Sequence, residues 1–90
     1  MVKILIVDDN AVNRDLLTTL LSHKGYAIHE AADGAEALAL ARTTCPDLIV
    51  TDILMPTMDG YEFVRQLRLD PSIANTTVIF CTADYQGREA

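Results

Sequence analysis

Basic residues are scarce in this chain: seven Lys and Arg stand against thirteen Asp and Glu, giving a formal net charge of −6 and a pI near 4.5. Nucleic acid and anionic membranes both need a basic footprint, so neither is a direct partner, and the balance suits binding a cation instead. Long apolar runs are missing too. The first one reaches Asp8 too early for a signal peptide, and no stretch could span a bilayer. Cysteine is limited to Cys45 and Cys81, without metal-ligand spacing. That is too few for a disulfide framework and reads as two reduced thiols, each a small buried hydrophobe, in a cytoplasmic protein. No glycine-rich loop follows the first apolar run, where Asp8-Asp9-Asn10 stands instead, which excludes a dinucleotide-binding turn. Repeats and low-complexity tracts are absent.

What remains is dense. Half of the 90 residues are hydrophobic, which argues for one packed domain, residues 1–90, near the lower size limit for a single core. Apolar runs and helical periodicities alternate along it. Lys3 to Val7 (KILIV) predicts a strand. From Asn10 to about Lys24, Val12, Leu16, Leu17, Leu20 and Leu21 recur at helical spacing until Gly25. Ala27 to Ala31 predicts a weaker strand near an edge. Asp33 with Glu36, and Asp59 with Glu62, both match a capping-box start and open two further helices. The first runs to about Thr43, and the second carries Phe63, Val64 and Leu67 and stops at Asp70-Pro71. Between them Asp47 to Thr51 (DLIVT) predicts a strand covered on both faces, and Thr76 to Thr82 predicts a fourth. Met55 and Met58 read as loop packing, and His23 and His29 as surface residues.

Such alternation predicts an α/β fold with a parallel sheet, right-handed crossovers and helices on both faces. Ligands of open α/β sheets bind beyond the carboxyl ends of the strands. Asp8 and Asp9 end the first strand, Asp52 follows the third, and Thr82 ends the fourth, so these polar groups should converge on one rim. Three neighbouring carboxylates repel one another, and a hard divalent cation relieves that cost; Mg²⁺ is the usual guest of carboxylate, phosphate and water oxygens. A carboxylate can also attack a phosphoryl group to form an acyl phosphate. Asp52 fits the nucleophile, the Asp8-Asp9 pair fits metal binding, and the Thr82 hydroxyl could bond to an attached phosphoryl oxygen.

The stretches "ILIVDDN", "DLIVTDILMPTMDGYEFVRQLR" and "VIFCTA" together resemble the receiver domain of two-component response regulators over nearly the whole chain. That resemblance implies a flavodoxin-like, doubly wound sheet in the order 2-1-3-4-5. It implies that Asp52 takes a phosphoryl group from a histidine kinase phosphohistidine. Asp9 and Asp52 would ligate Mg²⁺ directly, with the Leu54 backbone carbonyl as a further ligand and Asp8 acting mainly through water. Thr82 would be the switch hydroxyl, and Pro56 and Gly60 would shape the loop after Asp52. Such a module is not an enzyme beyond self-catalysed phosphorylation and dephosphorylation of Asp52.

Two departures accompany the match. The pattern is that of a receiver truncated after strand four, β1-α1-β2-α2-β3-α3-β4, without β5 and α5 and so without the family's lysine and aromatic residue on strand five. An apolar strand four left as an edge recruits another chain, so a homo-oligomer through that strand or through exchanged elements is expected. A non-switching scaffold fragment is the alternative function. A haloacid-dehalogenase-type phosphatase fits less well, since its general acid would occupy the position of Leu54.

Overall fold

The computed structural model describes residues 1–81. Seven elements follow one another: β1 (Lys3–Val7), α1 (Ala11–Ser22), β2 (Ala27–Ala31), α2 (Gly34–Thr44), β3 (Leu48–Thr51), α3 (Gly60–Leu69) and β4 (Thr77–Phe80). All strand pairs are parallel and form one sheet in the order β2-β1-β3-β4. The β2 strand is therefore an edge, as its weak apolar pattern predicts. Thr82 lies outside the described residues.

Alternating side chains give the sheet two different faces. Leu5, Val7 and Ile49 join Ala37, Leu38 and Ala41 of α2, Phe63 and Leu67 of α3, and Ile73 in one core. Full burial of each large apolar side chain contributes about 1.5–3 kcal/mol. Ile4 and Ile6 face the other way and are also buried, beneath α1, which packs on β1 and β2. The α1 helix thus lies opposite α2 and α3.

Several expectations need correction here. Among the described residues nothing covers the second face of β3: Ile49 and Thr51 are buried, but Leu48 and Val50 are only half-buried, because α1 sits over β1 and β2. No residue of α1 is buried. Its stripe of Val12, Leu16 and Leu20 is exposed, while Leu17 and Leu21 are half-buried. Cys45 is no buried hydrophobe. It is exposed and ends α2 in the left-handed conformation (φ 47°), and Cys81 is half-buried.

The helix starts explain why these segments are helices. Asn10 accepts hydrogen bonds from the Val12 and Asn13 amides at the head of α1 (2.9 and 3.1 Å). At α2 Asp33 Oδ1 accepts from Glu36 N (2.9 Å), and Glu36 Oε1 reaches back past the cap to accept from Ala32 N (2.8 Å). At α3 the glutamate does not reach back at all. Asp59 Oδ1 accepts from Glu62 N (2.9 Å), but the Glu62 carboxylate turns forward to Arg65 and Gln66.

The β4 strand differs from β2 in what it offers solvent. Ile79 is 51% and Phe80 38% exposed, on opposite faces of the strand. Phe80 meets the Tyr61 ring of α3 at 5.3 Å between centroids. Met55 and Met58 pack against the core, as expected of that loop.

Candidate metal centre

The strand order places β1 beside β3, with β2 and β4 outside them. The ladder continues one residue past each strand. Asp52 N donates to Val7 O (2.8 Å), and Asp8 N donates to Ala31 O (3.1 Å). Both acids are therefore fixed at the same level, at the carboxyl rim, by backbone bonds that any residue would make. Their burial is what is unusual. Asp8 is 3% and Asp52 4% exposed, whereas Asp9 is exposed.

Asp8, Asp9 and Asp52 each bring a carboxylate oxygen to within 4.8 Å of the other two. At an effective dielectric constant of about 20, two unit charges at that separation repel by about 3 kcal/mol. A fold that gathers three is costly without a counter-charge. The donors are all hard oxygens, and one of the three side chains is open to water. That set fits a small divalent cation that retains part of its hydration shell, as Mg²⁺ does.

Local bonds aim the carboxylates. Asp52 Oδ1 accepts from Ile53 N (2.8 Å) and Asp8 Oδ1 from Asn10 N (2.9 Å). Next to Asp52, the buried Thr51 hydroxyl donates to the Asp52 carbonyl oxygen (2.9 Å). The loop that follows folds back on the same strand, with Gly60 N donating to Ile53 O (2.8 Å). A side chain on Gly60 would run into the Asp52 carbonyl oxygen, so only glycine lets α3 start this close to the acid. The loop carries strain at Thr57, a β-branched residue at φ 69°. Leu54 lies in this loop with its side chain 72% exposed, leaving its backbone beside Asp52 in sequence.

The three acids are brought together as the sequence predicts, while Thr82 lies outside the described residues. Sequence reasoning passed over Arg14. Its Nη1 donates to the Asp8 carbonyl oxygen (2.6 Å), and its Nε donates to Glu30 Oε1 (3.2 Å). The signal was there: an arginine four residues after the helix cap lies one turn above the end of β1.

Comparisons with known proteins decide the family. The model of the response regulator receiver domain matches residues 4–90. The chain belongs to the response regulator receiver family. It is 41% identical over 81 residues to the response regulator PleD of Caulobacter vibrioides, covering 90% of this chain and 18% of that one. Among solved structures, it resembles the N-terminal domain of a response regulator receiver protein from Methanoculleus marisnigri JR1. That likeness has a TM-score of 0.87 at 37% identity and covers 90% of this chain and 66% of the other. The receiver domain of a sensor histidine kinase from Pseudomonas aeruginosa PAO1, solved with a magnesium ion coordinated in its active-site cleft, aligns at a TM-score of 0.86 and 34% identity, covering 94% and 70%. This receiver spans 28% and 18% of the length of the first two curated relatives it matches. Among its described residues no helix is long and apolar enough to cross a membrane.

Proposed function

We propose that this receiver is a phosphoacceptor module of a two-component relay, with Asp52 as the residue phosphorylated. The observation that carries this reading is the burial of Asp52 at the rim of β3 with the Asp8 and Asp9 carboxylates within 4.8 Å. A carboxylate oxygen of Asp52 attacks the phosphorus of a histidine kinase phosphohistidine. The new O–P bond forms as the N–P bond breaks, and the imidazole leaves with the electron pair. Asp9, Asp52 and the Leu54 carbonyl would hold Mg²⁺, with Asp8 acting mainly through water. Bound there, the ion neutralises charge on the phosphoryl oxygens. The Ile53 amide keeps Asp52 Oδ1 in place. By family resemblance, the Thr82 hydroxyl donates to a phosphoryl oxygen, and the module works in the cytoplasm.

Intact mass after incubation with Mg²⁺ and acetyl phosphate tests the reading. A phosphoryl adduct that needs both the cation and Asp52, absent from an Asp52→Ala chain, is the expected result. A folded wild-type chain that gains no adduct would leave a non-switching scaffold in place of a phosphoacceptor.

Self-association is the second part of the proposal. Among the described residues nothing pairs with the outer side of β4, and Ile79 and Phe80 expose apolar surface on both its faces. Such an edge recruits another strand, so a homo-oligomer joined at β4 is expected at micromolar concentration. A monodisperse monomer in light scattering would overturn it.

A further inference from the structure

Asp9 is the weakest-held member of the acid cluster. It is exposed, so packing does little to fix it, and its position depends on the peptide unit that precedes it. That unit joins the Asp8 carbonyl to the Asp9 amide and is planar, so gripping the carbonyl orients both residues. Arg14 does the gripping. Reaching back from the first turns of α1, its Nη1 donates to the Asp8 carbonyl oxygen at 2.6 Å, while Nε holds Glu30 of β2 at 3.2 Å. The side chain is only 20% exposed. The Asp8 amide is tied to Ala31 O and its carboxylate to the Asn10 amide, which belongs to the N-cap of α1. The ends of β1 and β2 and the start of α1 are thus locked around a single peptide unit.

We propose that Arg14 is a positioning residue that sets the cation affinity of the acid cluster by fixing the Asp8–Asp9 peptide. This rests on reading the cluster as a cation site. Two effects of Arg14 oppose each other. Its positive charge beside three acids disfavours a second cation, so charge alone makes its removal strengthen Mg²⁺ binding. Its grip on the peptide pre-organises the ligands, so loss of the grip weakens binding. Groups that orient metal ligands typically change affinity about 10- to 100-fold when removed, and positioning prevails over a partly exposed charge already engaged by Glu30.

The test is calorimetric titration of Mg²⁺ into the 90-residue chain, into Arg14→Met, which keeps the apolar stem, and into Arg14→Lys, which keeps the charge but not the two-armed donor. The expected results are a loss of affinity of about tenfold for Arg14→Met and a smaller loss for Arg14→Lys. With acetyl phosphate as donor, the Arg14→Met phosphorylation rate should return to the wild-type value at saturating Mg²⁺, with only the half-saturating concentration raised. A purely structural defect would not be rescued in that way. Unchanged or tighter Mg²⁺ binding by Arg14→Met overturns the proposal and leaves the cation site standing. Should that variant not fold, an Arg14→Lys affinity equal to wild type overturns it instead. A folded wild-type chain that binds no Mg²⁺ defeats the cation-site reading itself.

Discussion

At the amino end of the sheet, each charged side chain bonds to a backbone group. Lys3 sends its ammonium to the Thr44 carbonyl at the end of α2 (2.7 Å), and its amide donates to the Asp47 carboxylate (2.8 Å). A cation at a helix carboxyl end also meets the negative pole of the helix dipole. At the carboxyl end, the same parallel ladder gathers Asp8, Asp9 and Asp52 within 4.8 Å, and the adjacent guanidinium of Arg14 is engaged by Glu30 and a backbone carbonyl. One end uses charge to close the fold. The other concentrates like charge at a cost to the fold, which is how a binding site differs from a structural one.

The contrast can be broken or sharpened by substitution. Gly60→Ala should have the largest effect, because the added methyl meets the Asp52 carbonyl oxygen. Overpacking of that kind costs about 3 kcal/mol, read as a lower urea midpoint, with any Mg²⁺-induced rise in Tm reduced as Asp52 shifts. Asp52→Asn should go the other way. Removing one of three clustered charges stabilises the metal-free chain by about 1–2 kcal/mol, while the stabilisation by Mg²⁺ disappears. A loss of stability in metal-free buffer would show that the acids do not strain the fold.

Lys3→Met probes the opposite end. It should cost about 1 kcal/mol in urea unfolding, the worth of a typical hydrogen bond, and leave the Mg²⁺ response unchanged. The smallest effect belongs to Glu62, in the first turn of α3. The Arg65 guanidinium, aided by Gln66, holds its carboxyl down at about 2 against an ordinary 4.5. A depressed carboxyl stabilises the fold above its unfolded value and ceases to do so as pH falls through the folded one. The Tm advantage of wild type over Glu62→Gln should therefore be full at pH 6 and shrink between about 4.5 and 2. A gap that stays constant across that range would show that the ion pair adds nothing.

Much of this was legible in the sequence. Lys3–Val7 and Ala27–Ala31 have the bounds their apolar runs predict, and the acids converge because strand ends converge in any parallel sheet. What a sequence pattern cannot say is what lies opposite a side chain. The α1 stripe of Val12, Leu16 and Leu20 has helical spacing yet is exposed, since periodicity marks an apolar face without supplying its cover. Asp33/Glu36 and Asp59/Glu62 share one pattern, but Glu62 has an arginine three residues on and turns to it. Gly60 reads as part of a helix start; that it faces the Asp52 carbonyl is a tertiary fact.

The most direct test of the central claim locates the phosphoryl group. After phosphorylation with Mg²⁺ and acetyl phosphate, borohydride reduction converts an aspartyl phosphate to homoserine, which peptide mass spectrometry can place. Homoserine at position 52 alone is the expected result. Homoserine at position 8 or 9, or at none despite a folded chain, would contradict the assignment of Asp52 as the acceptor held by its two neighbours.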